Sequence, residues 1–247
     1  MDHHTVAAIS ITGTVLDVLG SLYLAYDLLS GQHGPLRLLT RAVTYSIVFG
    51  IGYAAGLGPL FGLAAGVTTG FTISIELHRA ARGLDHYSLT WEAVFAAIRG
   101  IGFGAGLYPV VGERFAIVFS MLITIGQVFA YSRGMRPALD YQAALRPRLT
   151  RRLFWGTMVR AVGYIATALV CSALIHHVDH VWSFALRIGL VTGLVTGVGV
   201  TVNPYIEYYA DRLRERRLGA LGIGLILCGF ALQSLQYWLT LFDVRVT

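Results

Sequence analysis

Two ionisable residues stand deep inside apolar runs of this chain: Asp17 in VAAISITGTVLDVLGSLYLAY and Arg99 in WEAVFAAIRGIGFGAGLYP. A charge held away from water needs a partner of opposite sign or a wet cavity, so each marks a place where chemistry or packing is specified. At about 1.5 Å of rise per residue, both fall roughly 12–14 Å above the same membrane surface. The two can therefore pair. Such a pair either joins the first helix to the fourth as a structural link or forms a solute or proton-linked site.

A second set lies near helix ends. Arg41 and Glu76 stand at the two ends of one stretch, and Arg160 and Glu207 stand at the corresponding places of another, with Glu92 and Gln127 between them in the chain. These spacings suit clips at a rim, acting as staples or as a gate. Asn203-Pro204 removes one backbone hydrogen bond from its helix and is a candidate hinge or a plain kink. Arg187 lies nearer a helix end and can snorkel.

The cluster His176-His177-Val178-Asp179-His180 offers imidazoles and a carboxylate to Zn²⁺ or Cu²⁺, and Asp2-His3-His4 is expected on the same face. Adjacent residues rarely complete a tetrahedron, so a polar turn at headgroup level is the alternative. No H-E-x-x-H or G-x-S-x-G occurs. The chain has nineteen Arg and no Lys, which excludes a lysine Schiff base. Tyr26-Asp27 with Gly56-Leu57-Gly58-Pro59 is distantly similar to intramembrane aspartyl proteases, but Pro59 takes the place of the second aspartate. No enzyme and no cofactor are expected.

The elements that must position these residues follow from composition. Of 247 residues 55% are hydrophobic and 13% charged, and the mean hydropathy is +0.65; a soluble domain carries about 25% charged residues. Apolar runs at about 5–30, 38–56, 59–79, 90–108, 112–132, 153–175, 181–205 and 219–242 have the length that crosses a hydrocarbon core of about 30 Å. The fold class expected is an all-α integral membrane protein with eight transmembrane helices in a single polytopic domain. Cys171 and Cys228 fall inside these runs and offer no disulfide framework. The first run follows no basic leader and reads as an uncleaved span.

Counted by connection, fourteen Arg fall in the odd-numbered connections against two, Arg114 and Arg245, on the opposite side. The positive-inside rule puts both termini outside the cytoplasm, in a plasma (inner) membrane. The net charge of +6 is spread over loops beside the spans. That fits an anionic inner leaflet as partner and not nucleic acid. The Arg-rich connection 134–152 reads as an amphipathic segment on that leaflet or as a solvated loop.

The phrase FGIGYAAGLGP at 49–59 recurs as RGIGFGAGLYP at 99–109, identical at seven of eleven positions. Pro59 and Pro109 are expected to mark outer turns. IELHRAARG (75–83) and GQVFAYSRG (126–134) share their closing Arg-Gly, and Arg41-Ala-Val-Thr-Tyr45 recurs as Arg160-Ala-Val-Gly-Tyr164. The plan is a leading helix, three parallel helical-hairpin repeats (about 37–83, 88–134 and 153–217) and a trailing helix. It resembles solute carriers built from three hairpins in architecture alone, since their Pro-x-Asp/Glu-x-x-Lys/Arg signature is absent.

Gly62, Gly66 and Gly70, and likewise Gly189, Gly193 and Gly197, stand four apart, which suits close helix packing. The alternative is that Thr68, Thr69 and the Thr192, Thr196, Thr201 series line a polar path. The functional expectation is a transporter or channel-like bundle for a small solute or ion. The alternatives are a non-catalytic membrane-embedded assembly or scaffold subunit and an outer-face metal-binding protein.

Overall fold

The computed structural model describes residues 3–29, 36–81, 89–133, 151–175, 181–210 and 217–241. Among them the chain is all-helical, with no strand. Its eight helices are α1 (His3–Leu28), α2 (Arg37–Leu57), α3 (Pro59–Ala81), α4 (Leu89–Val111), α5 (Glu113–Ser132), α6 (Arg151–Ile175), α7 (Val181–Ala210) and α8 (Arg217–Leu241). Among the described residues five stretches are long and apolar enough to cross a membrane: Thr5–Leu28, Arg37–Leu57, Leu89–Val111, Glu113–Ala130 and Arg217–Leu235. In α3 the apolar pattern is broken by Thr68, Thr69, Thr72, Ser74 and Glu76. In α6 and α7 the apolar stretches among the described residues are Ala161–Leu174 and Ser183–Gly199. The chain divides into two compact units, one of α1 and α8, the other running Arg41–Tyr208 through α2 to α7.

In the first unit α1 and α8 run antiparallel at close range. Gly13 faces Gly229 and Gln233, and Gly20 faces Gly222 and Ile226; a Cβ on Gly20 would stand 2.5 Å from the Gly222 carbonyl oxygen. Glycines seven apart on both helices put small residues on one seam, so the backbones touch where side chains would hold them apart. At one end Asp27 Oδ2 accepts the Gly219 N–H at 3.2 Å. A carboxylate from the end of α1 thus caps an orphan donor in the first turn of α8, where the helix dipole favours negative charge.

In the second unit six helices close a ring. The repeated phrase supplies the contacts on two opposite faces of its helix. On α2, Gly50 and Ala54 meet Gly62 and Gly66 of α3, whereas Gly52 and Gly56 meet Val195 and Val191 of α7. On α4, Gly100 and Gly104 meet Ser120, Thr124 and Ala116 of α5, whereas Gly102 and Gly106 meet Thr68, Ala64 and Phe61 of α3. Residues four apart share a face and residues two apart lie on nearly opposite ones. Glycine at every second position therefore lets one helix lie tightly between two neighbours. The ring is completed by α5 on α6 and by Gly189 and Gly193 of α7 on Ala161 and Ile165 of α6. Gly70 meets the Ser46 backbone.

The turns inside the first two hairpins are built alike, and not at the prolines. Gly58 has φ +97° and Gly112 φ +82°, left-handed values that glycine adopts without a steric cost. Each ends one helix, its N–H donating to Ala54 O or Tyr108 O at 3.0 Å, and each starts the next, its carbonyl accepting from Gly62 or Ala116. One residue is thus both the C-terminal stop and the entry to the following helix. Pro59 follows the turn as the first residue of α3, where its missing N–H is not needed. Pro109, expected at the turn, lies inside α4, which continues to Val111.

The middle of the ring is filled with rings of another kind. Tyr53 packs edge-on against Phe61 and Phe103, each at 5.7 Å between centroids, and Phe103 lies 5.4 Å from both Phe61 and Tyr164. Phe49, Tyr53, Phe115 and Phe119 are fully buried. The outward faces carry Ile51, Leu63, Ile101, Ile117 and Ile125, all exposed.

Candidate functional site

Arg99 is placed by α4, with Glu92 seven residues earlier on the same face, two helical turns away. Side chains on a helix lean toward its N-terminus, so the long Arg99 side chain runs back along α4 toward Glu92. Its Nε donates to Phe95 O at 3.2 Å, which fixes that direction. Nη2 then donates to Glu76 Oε1 of α3 at 2.6 Å, with Glu92 Oε1 3.5 Å from the same nitrogen. The side chains of Arg99, Glu76 and Glu92 are 12%, 9% and 12% exposed. One guanidinium is therefore held between two carboxylates at the α3–α4 contact, a charge-assisted arrangement stronger than a neutral hydrogen bond. Beside it Arg79 lies over the Trp91 ring, 5.3 Å from its centroid, and Trp91 is tilted against Phe95 at 5.8 Å.

These partners differ from the expected ones. Arg99 was expected to pair with Asp17, and its recorded partners are Glu76 and Glu92; Asp17 accepts from Gln233 Nε2 at 2.7 Å. The physical reason is reach and direction: Arg99 bends toward the start of its own helix, where two carboxylates already stand. Of the rim set, Arg41 and Glu76 are both buried, at 6% and 8% exposed. Glu76 is engaged by Arg99. The side chains of Arg160 and Glu207 lie outside the described residues, as does the whole of His176, His177, Asp179 and His180. Helix α7 continues through Asn203 and Pro204 to Ala210. Among the described residues no group of three or more His, Cys, Asp or Glu is arranged to hold a metal ion.

Above the ion cluster, toward Gly58 and Gly112, lie hydroxyls and then the aromatic layer. Most of these hydroxyls serve their own helices. Thr68 donates to Ala64 O at 2.9 Å, Thr72 to Thr68 O at 2.8 Å, and Thr192 to Ile188 O. With their protons committed to the preceding turn, such threonines offer only acceptor capacity to anything passing. Other hydroxyls cross between helices, among them Ser46 Oγ of α2, which donates to Val67 O of α3 at 3.3 Å. Tyr53 OH and Thr196 Oγ1 are 3.1 Å apart between α2 and α7, and Thr124 Oγ1 lies 3.3 Å from Ala96 O between α5 and α4. Arg187 Nε donates at 2.8 Å to Gly56 O, one of the orphan carbonyls at the end of α2. A cation there also complements the helix dipole.

Sequence reading missed Glu92 as a partner of Arg99, although the seven-residue spacing on one helix was available. It also missed Asp27 as a cap. A groove of about 710 Å³ along α4 and α5, lined by Ala97, Ile101, Ala105, Met121 and Ile125, is apolar and carries no part of the ion cluster. Compared with protein-family models, curated proteins and solved structures, the chain matches none.

Proposed function

We propose that the chain is a multi-pass helical membrane protein of the plasma (inner) membrane that passes a small solute or ion through the ring of α2 to α7. The observation that carries this reading is the Arg99–Glu76–Glu92 cluster. Ionic groups inside a membrane bundle are costly and are kept where a path or a switch needs them. In this reading the cluster is a latch at the cytoplasmic end and the layer of Tyr53, Phe61 and Phe103 is the closure on the outer side. The three hairpins act as parallel repeats around an axis along the membrane normal, both termini lie outside, and the Arg-rich connections meet the anionic inner leaflet.

A second reading, a non-catalytic assembly or scaffold subunit, is favoured by the dense aromatic filling and by threonines satisfied within their own helices. The third, metal binding at an outer face through His176, His177, Asp179 and His180, rests on residues outside the described set.

The test uses proteoliposomes and a panel of ions and small polar solutes, comparing the native protein with Glu92→Gln. Glu92 is the more distant partner, so its loss loosens the latch at least cost to the fold. Flux above empty vesicles that changes in the variant supports a transport path. Folded protein without flux of any solute in either form rejects it in favour of the scaffold reading. Cysteine labelling of a variant lacking Cys171 and Cys228 tests orientation: a cysteine at Glu113 reacts from outside, and one at Ala144 only after permeabilisation.

A further inference from the structure

The α4–α5 contact leaves a furrow on its outward side. The two helices touch by backbone: a Cβ on Gly100 would stand 2.8 Å from Ser120 O, and one on Gly104 3.0 Å from Ala116 O. Residues this small let the backbones close but cannot fill the cleft beside them. The groove of about 710 Å³ is what remains. Gly104 and Ser120 form its floor, and Ile101 and Tyr108 of α4 and Ile117 and Met121 of α5, which are all exposed, form its walls. Thr124, at the inner end, commits its hydroxyl proton to Ser120 O at 2.8 Å.

Length and position decide what fits. On α4 the lining runs from Ala97 to Tyr108 and on α5 from Glu113 to Ile125, about 16–18 Å at the helical rise. Half of a hydrocarbon core is about 15 Å. The groove is therefore as long as one leaflet is deep, with its mouth at the Gly112 turn. Beyond its inner end Val94 of α4 and Phe129 of α5 stand exposed and interrupt the seam. A second helix crossing the bilayer needs a seam through both leaflets; an extended acyl chain needs only one.

At the mouth the chemistry changes. Glu113, in the first turn of α5, is the one charged residue of the lining, with Tyr108 across the turn on α4. Arg114, next in the chain, is not part of that lining. A carboxylate at headgroup depth repels a headgroup of net negative charge and attracts an ammonium, whose N–H groups donate to it. We propose that the α4–α5 groove holds one acyl chain of a phospholipid whose headgroup carries a primary ammonium, the chain lying between Ile101 and Met121 and the ammonium at Glu113. The proposal rests on the reading of α4 and α5 as membrane-spanning and not on transport.

The experiment is native mass spectrometry of the full chain in mild detergent, titrated with equimolar phosphatidylethanolamine and phosphatidylglycerol of the same acyl chains. The expected result is one retained phosphatidylethanolamine per chain, preferred several-fold over phosphatidylglycerol. Glu113→Gln abolishes the preference while a lipid is still retained. Ala105→Trp, which puts a large ring into the groove, abolishes retention of both. Glu113 and Ala105 are exposed, so both variants are expected to melt within a few degrees of the native protein in detergent without lipid. No retained lipid, equal retention of the two lipids by the native chain, or undiminished retention in Ala105→Trp overturns the proposal. So does a native dimer that Ala105→Trp dissociates, which makes a second copy the occupant. Failure of the chain to remain in carbonate-washed membranes instead overturns the membrane reading, so the two outcomes are distinguishable.

Discussion

Replacing Arg99 and Glu76 singly and together measures what holds α3 to α4. Arg99→Met leaves Glu76 and Glu92, both around one-tenth exposed, facing each other with the cation gone. Removing one partner of a buried pair costs about 3–5 kcal/mol, and two carboxylates left behind put this variant at the upper end. Glu76→Gln is milder: its amide oxygen still accepts from Nη2 and Glu92 remains 3.5 Å away. Its cost is about 1.5–3 kcal/mol, the worth of a hydrogen bond to a charged group. The double variant keeps only Glu92 as a charge and loses less than the two costs added, by about 1–3 kcal/mol of coupling. Denaturant unfolding in mild detergent, followed by tryptophan fluorescence with Trp91 beside the cluster, reads these values. Losses that add to within about 0.5 kcal/mol would mean that the 2.6 Å contact carries no coupling and that the latch is misassigned.

Gly66→Val forces a branched side chain into the Gly50 backbone and costs at least about 1–3 kcal/mol; a melting temperature equal to the native one would refute the close α2–α3 contact. Gly58→Ala and Gly112→Ala, at φ +97° and +82°, each lose about 1 kcal/mol or somewhat more by the same unfolding assay, and a marked inequality would mean the two turns are not equivalent. Tyr53→Phe removes the hydroxyl facing Thr196 and costs about 0.5–1.5 kcal/mol. Thr196→Val is expected to match it, and independent losses would show that the two hydroxyls do not meet.

Much of the fold was legible because apolar runs of helix-crossing length, punctuated by glycine and arginine, leave the backbone little choice but eight helices. The phrase at 49–59 and 99–109 was read as a repeat, but not as a contact pattern: only the structure shows its glycines two apart presenting both faces of a helix to neighbours. The turn was harder to place, because Pro59 and Pro109 match in sequence while the left-handed residue is Gly58 in one hairpin and Gly112 in the other. Proline is tolerated in the last turn of α4, so its position alone does not say where a helix ends. In the site, Arg99 and Glu76 were each picked out, but as members of different pairs.

What the chain determined by itself was the set of helices, their breaks and which residues are too polar for their surroundings. Those properties depend on neighbours within a few turns, and periodicity and transfer energy report them directly. What tertiary structure decided was partnership. Helix rise placed Asp17 and Arg99 at similar depth, yet depth says nothing of azimuth or of which helix stands alongside. The antiparallel seam of Gly13 and Gly20 with Gly222 and Gly229 sets Asp17 against Gln233, more than two hundred positions away. The α3–α4 contact gives Arg99 to Glu76. A one-dimensional pattern fixes how far along a helix a charge lies; only the packing of backbones around it fixes which opposite group it meets.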